Sequence, residues 1–333
     1  MREELEKKRW SREKARDYMK PYGDIVACNY VPSYCYNYIQ LWYDFREGII
    51  KKELEWAKAC NISSLRMFLP LFSYEEGGCW EMVREKVKHF LGLAEEQGMT
   101  VMMAFQPNYT HLDKGEDAPV LQFMPGCHRN HWNYRNADFA DLSQMPEKYP
   151  VMFQMMDDIM GELKEDSRIL AWDLWNEAHP GDREGLERIF AHAREINPTQ
   201  PLTACWEAFE LSDIITFHNY VKPGSVSRYP QPGSLDFIPE LERALSFERP
   251  VLCTECLARS EGNTFESILP FFAQYHIGFY FWGLCAGSAQ YHFPWDWPEG
   301  APEPKNWFHC ILYPDGTPYR EEEILLLRDF RFR

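Results

Sequence analysis

Short apolar runs alternate with longer amphipathic stretches along almost the whole chain. The hydrophobic period switches back and forth between that of a strand and that of a helix. Eight runs read as strands: 24–30, 62–68, 99–105, 169–175, 201–206, 213–217, 250–255 and 277–282. Several are nearly continuous in apolar residues, the pattern of parallel strands covered on both faces. Between them, 47–60, 81–97, 152–164, 183–196, 237–247, 264–274 and 319–330 carry apolar residues three and four apart, which predicts helices. Gly98 supplies a stop after the second helix, and the turn Pro314-Asp315-Gly316 leads into the last. Strand–helix alternation of this kind predicts an α/β fold, a single (β/α)8 barrel. Such a barrel needs about 250 residues, and the 333 present leave room for elaborated loops. The segment 2–19 reads as one extra helix covering the bottom of the barrel. No repeat, low-complexity tract or linker interrupts the pattern, so 1–333 is expected to be one domain.

Two connections are too long for simple turns, 106–146 and 283–318. Both leave strand ends, so both fall on the C-terminal face, where barrel proteins place their sites. They carry Trp132, Trp295, Trp297 and Trp307, expected to wall a cleft or pocket on that face.

Charge narrows the partners. The formal balance is 35 − 51 = −16. A surface this acidic repels phosphate backbones and anionic head groups, which argues against nucleic acid and membrane surfaces. No apolar run approaches the roughly 18 residues that span a bilayer. Aromatic residues make up 16% of the chain, including 12 Trp and 18 Tyr. Flat apolar faces with a polar edge, set at strand ends and in loops, suit sugars. Ten cysteines fall mostly in apolar strand-like stretches, and the charged start has no apolar signal region. Together these point to a reducing, cytoplasmic setting. Cys127, His128 and His131 cluster in sequence without a zinc spacing, and are read as a solvated loop. Nothing indicates oligomeric state.

Two strand ends carry chemistry. The run Ile169-Leu170-Ala171-Trp172-Asp173-Leu174-Trp175 closes on Asn176-Glu177, and Ala178, His179, Pro180 and Gly181 then turn the chain. The run Pro250-Val251-Leu252-Cys253-Thr254 closes on Glu255. Strands four and seven face each other across a barrel mouth, so these carboxylates can share one space. Paired carboxylates are what glycosidic cleavage needs, one to protonate the leaving oxygen and one to attack the anomeric carbon. Glu207 and Glu210, after strand five, are rival carboxylates. Asp173 is expected to point into the barrel as a supporting group.

These residues resemble clan A glycoside hydrolases, especially the family-five cellulase and mannanase type. Four further positions match in the right order: Arg66 ending strand two, His218 and Tyr220 following strand six, and Trp282 ending strand eight. The resemblance implies a retaining β-glycosidase that hydrolyses a neutral oligo- or polysaccharide by double displacement, without cofactor or metal. It implies Glu255 as nucleophile and Glu177 as acid/base. Arg66 and Tyr220 would keep Glu255 ionised, Asn176 and His218 would bind substrate, and Trp282 would stack on the sugar. Trp206 is a second candidate sugar contact, from its place at the end of strand five. The chain departs from the pattern at Ala178, where the family has proline, and at Gln106-Pro107-Asn108, where it has a histidine pair. Two alternatives stand beside this reading. One is a carbohydrate-binding pseudoenzyme on the same barrel; the other is a metal-dependent hydrolase using His111, His128 and His131.

Overall fold

Each apolar run becomes a strand, within a few residues of its expected limits. They are β1 (Val26–Asn29), β2 (Ser64–Phe72), β3 (Thr100–Thr110), β4 (Ile169–Asp173), β5 (Leu202–Thr203), β6 (Ile215–His218), β7 (Val251–Cys256) and β8 (Gly278–Trp282). The computed structural model describes residues 2–72, 79–110, 126, 128, 140–142, 145–178, 181–228, 235–298 and 300–332. The strands pair in parallel in the order β5-β4-β3-β2-β1-β8-β7-β6. The two ends of that path meet. Cys205 bridges Thr216 in parallel, and the Thr203 and Thr216 hydroxyls lie 2.9 Å apart. The eight strands therefore form a nearly closed (β/α)8 barrel.

The seam is thin because β5 is short. Six residues were expected there and two pair regularly. The Ser212 hydroxyl, not a neighbouring strand, takes the Ala204 N–H, and Trp206 turns the chain out of the sheet at φ 52°.

The helices between strands follow the predicted periods, with corrections at two places. The N-terminal segment is two helices, Arg2–Lys8 and Arg12–Met19, not one. Ser11 caps the second by accepting the Lys14 N–H, and the Trp10 N–H is taken by the Asp213 carboxylate. A cap and a tertiary anchor at adjacent residues outcompete a continuous helix. This segment does cover the barrel bottom. Trp10, Ala15 and Met19 pack on a separate apolar layer of Ile25, Ala27, Met102, Leu170, Ala171, Ile214, Leu252 and Tyr280. The helix expected over 152–164 starts earlier, at Tyr149, and contains a π turn over Met156–Met160. A short helix that the periodicity did not predict, Tyr38–Tyr43, follows β1 and is capped by Asn37.

On the C-terminal face, the end of β3 pairs antiparallel with a two-residue strand, Ala140–Asp141. Trp132, His111, Cys127 and His131 lie outside the described residues. Trp307 is packing, not a cleft wall: its ring lies 4.4 Å from that of Tyr319 at 6°, and its Nε1 donates to Glu303. Eight cysteines among the described residues are buried and unbridged. No helix among the described residues is long and apolar enough to cross a membrane.

Candidate active site

The centre of the barrel mouth is organised by one cation. β2 delivers Arg66 there with its side chain fully buried. A buried guanidinium costs several kcal/mol unless its charge and its N–H groups are answered. All five N–H groups are used. Nε and Nη2 donate to Asp173 Oδ2 at 3.1 and 2.7 Å, and Nη2 also donates to Asn176 Oδ1 at 2.7 Å. Nη1 donates to Asn29 Oδ1 and to Glu255 Oε1, each at 2.8 Å. One side chain thus ties the ends of β1, β2, β4 and β7 together.

Glu255, in β7, is 4% exposed. Its second oxygen accepts from the Tyr220 hydroxyl at 2.6 Å and from Trp282 Nε1 at 2.7 Å. Burial by itself would push this carboxyl up. The neighbouring His218 imidazole and Arg66 guanidinium, with the Tyr220 and Trp282 hydrogen bonds, outweigh that and hold it below the ordinary glutamate range. Asp173 shows the opposite balance: burial raises it despite Arg66 and His218.

Glu177 stands just beyond β4. The strand's path continues past Asp173, with the Leu174 N–H on the Thr203 carbonyl and the Asn176 N–H on the Phe105 carbonyl. Glu177 itself then takes φ 56°. A left-handed non-glycine residue costs about 1 kcal/mol or more, and such strain collects at functional sites. Its side chain is 26% exposed, against 6% for that of Glu255.

His218 lies between the two carboxylates. Its Nδ1 is 3.1 Å from Glu177 Oε1 and 3.6 Å from Glu255 Oε2. One oxygen of each carboxylate and this nitrogen all lie within 4.8 Å of one another. Retaining glycosidases keep their carboxyls about 5–5.5 Å apart and inverting ones about 6.5–9.5 Å. The same three residues are the one group among the described residues whose donors could hold a metal ion. The oxygens of Glu255 are already taken by Arg66, Tyr220 and Trp282, which a cation would have to displace.

The two tryptophans expected at the sugar are mostly covered. Trp282 is 7% exposed, with the Phe68 ring parallel to it at 8° and the Tyr291 ring 4.8 Å away. What it offers the site is its N–H. Trp206 is buried and meets the His218 ring edge-on at 5.5 Å. Of the rival carboxylates, Glu210 pairs with Arg183 at 3.1 Å and is half exposed. The Arg183 guanidinium also donates to the Glu207 backbone carbonyl. His128 is buried, with Nδ1 2.7 Å from the Phe293 carbonyl.

Asn29 was missed. It closes the apolar run 25–28 as Asn176 and Glu177 close theirs, which is the signal that would have found it. Its amide accepts from Arg66 and donates to the Thr254 carbonyl at 2.9 Å.

No family model matches the chain, and no curated protein matches it. Several solved structures resemble it. The exo-beta-1,4-mannosidase Op5Man5 from an Opitutaceae bacterium superposes with a TM-score of 0.61 at 17% identity, over 92% of this chain and 59% of that one. This chain therefore spans less than two thirds of that protein. GH5_18 from Streptomyces cattleya, in complex with GlcNAc, gives 0.60 at 15% identity, covering 92% and 81% of the two chains. A glycoside hydrolase family 5 mannosidase from Rhizomucor miehei gives 0.54 at 15% identity, covering 92% of each. At these identities the likeness is one of fold: the chain is a (β/α)8 barrel of the kind on which these glycoside hydrolases are built.

Proposed function

We propose that the chain is a retaining β-glycosidase of the clan A, family-five type, acting on a neutral oligo- or polysaccharide. The observation that carries this reading is the approach of the Glu177 and Glu255 carboxylates to within 4.8 Å. That spacing leaves no room for a water beyond the sugar ring, so one carboxylate must attack directly. Glu255 is the nucleophile, because buried donors hold it ionised and fix its oxygens. Glu177, more open to solvent, is the acid/base. Glu255 attacks the anomeric carbon while Glu177 gives its proton to the departing oxygen. Glu177 then takes a proton from an incoming water, whose oxygen displaces Glu255 and restores both carboxyls. No metal enters these steps.

The chain's fold neighbours include mannosidases, so β-mannosides head the substrates to try. A screen of aryl β-glycosides and oligosaccharides tests the activity itself. No turnover of any activated glycoside, with sugar binding intact, would make the chain a carbohydrate-binding barrel instead. With a substrate in hand, Glu177→Ala should lower turnover by about a thousandfold. Azide should restore much of the rate on an activated substrate. A 2-fluoro glycoside should label Glu255, and a label found on Glu207 or Glu210 would overturn the assignment.

A further inference from the structure

The long connection after β8 returns across the barrel mouth, and residues 307–310 wrap around a single buried guanidinium. That group is Arg259, three residues beyond the end of β7 and 4% exposed. Its Nη1 donates to the His309 carbonyl at 2.6 Å, with the Trp307 and Phe308 carbonyls at 3.3 and 3.5 Å. Its Nη2 donates to the Cys310 carbonyl at 3.0 Å. Nε and Nη2 also grip both oxygens of Glu323, on the closing helix Glu321–Asp329, at 2.7 and 2.5 Å. The side chains of both partners in this ion pair are 1% exposed. A pair so desolvated commits its geometry firmly, because losing either partner strands a buried charge.

What this clamp holds is His309. The imidazole Nδ1 donates to the Leu257 carbonyl, and Leu257 follows β7 directly with φ 75°. The ring is 1% exposed, its centroid 5.6 Å from that of Tyr220 and 6.4 Å from that of Trp282. Tyr220 and Trp282 are two of the three residues that donate to the Glu255 carboxylate, and both act on the same oxygen. Tyr220 lies two residues beyond β6 and Trp282 ends β8, and the His309 ring packs near both.

We infer that His309 is a positioning residue for Glu255: anchored by Arg259 and Glu323, it sets the Tyr220 hydroxyl and the Trp282 N–H where both meet one carboxylate oxygen. It touches no reacting atom and acts only through those two side chains. The inference rests on the reading of Glu255 as nucleophile, which 2-fluoro labelling of the unaltered protein tests separately.

The test compares His309→Ala, His309→Phe and Arg259→Lys with the unaltered protein. His309→Ala should lower kcat by tens-fold with KM nearly unchanged, and slow labelling of Glu255 in proportion. It should also move the acidic limb of kcat/KM to higher pH, since two donors to Glu255 have loosened. The charged and titratable groups around Glu255 (Arg66, Asp173, Glu177, His218, Tyr220, Cys253 and Cys256) are left in place, and Arg259→Lys also keeps the His309 imidazole, so a limb shifted in both variants reports geometry and not the loss of that ring's charge. His309→Phe keeps the ring packing without the bond to Leu257 and should recover part of kcat. Arg259→Lys, which cannot hold the loop and Glu323 together, should shift the limb in the same direction. Should His309→Ala not fold, His309→Phe and Arg259→Lys carry the same comparison. Folded variants with the acidic limb and kcat of the unaltered protein, while Glu255 still takes the label, would overturn the inference and leave the catalytic assignment standing.

Discussion

At Glu255 the desolvation of a buried carboxylate is set against two cationic or polarised neighbours and two hydrogen-bond donors, and the neighbours win. A carboxyl that titrates lower in the folded chain than in the unfolded one stabilises the fold above the ordinary glutamate value. That stabilisation is lost as pH falls through the folded value. The same shift governs activity, since an ionised Glu255 is needed to attack. The acidic limb of kcat/KM is therefore expected below the ordinary glutamate value of about 4.3. In Tyr220→Phe, which removes one donor and little volume, that limb should move upward. A pH–rate profile of both proteins on one aryl glycoside checks this. An acidic limb at or above the ordinary value in the unaltered protein would mean that burial dominates after all.

Among the elements, the connection after β6 matters most for the site, because β6 itself supplies His218. Asn219 donates to the Leu235 carbonyl at 3.0 Å, and the Leu235 N–H donates to Glu240 at 2.7 Å, so Leu235 is pinned from both sides. Glu240 lies in the helix Phe237–Leu245 and is fully buried. Burial lifts its carboxyl to about 7, against the pull of the Leu235 N–H, Arg243 and His218. For a raised carboxyl the linkage runs the other way. Its stabilisation is complete below the ordinary glutamate value and disappears as pH rises through the folded value, here about 7. Glu240→Gln keeps an acceptor for Leu235 and cannot ionise. Its advantage over the unaltered protein should grow to roughly 3 kcal/mol between about pH 5 and pH 8. Denaturant unfolding at the two pH values measures it, and equal pH dependence in both proteins would refute it. Gly283 shows the same tightness at the end of β8. At φ 79°, a Cβ there would stand 2.7 Å from the Cys310 sulfur, so the residue after Trp282 has to be glycine for the loop to pass.

The whole molecule contributes its charge and its closure. With a net charge of −16, long-range repulsion acts on any anionic ligand and is screened by salt within about 10 Å at 0.1 M. On the proposed reading, KM for a neutral β-glycoside should be flat with ionic strength. A uronic-acid analogue should bind more weakly at low salt and recover as salt is added. Steady-state kinetics from low to moderate salt would decide this, and a salt-dependent KM for the neutral substrate would contradict a neutral-sugar site. Closure is what brings β4 and β7 to opposite sides of one mouth, while Trp10 and the helix Arg12–Met19 seal the other end.

Amphipathic period and strand-terminal polar residues are local properties, so the chain itself announced the eight strands, most helices and the strand-end carboxylates Glu177 and Glu255; Arg66, His218 and Tyr220 were picked out by the resemblance to a family, and all five meet at the centre. Local signals also mark their own ends poorly. The break at Ser11 depends on Asp213, and the early end of β5 on Ser212, contacts that no window of sequence contains. Asn29 carried a strand-end signal but no hint of its partner, and Arg259 and His309 were illegible as site residues for a related reason. An Asn after an apolar run, or a histidine in a long loop, takes its meaning from partners 37 to 64 residues away. The separation of the two carboxylates was never encoded near either one. It follows from barrel closure and from Arg66 drawing four strand ends onto one guanidinium, because only a three-dimensional contact can set a distance between residues 78 positions apart (255 − 177 = 78).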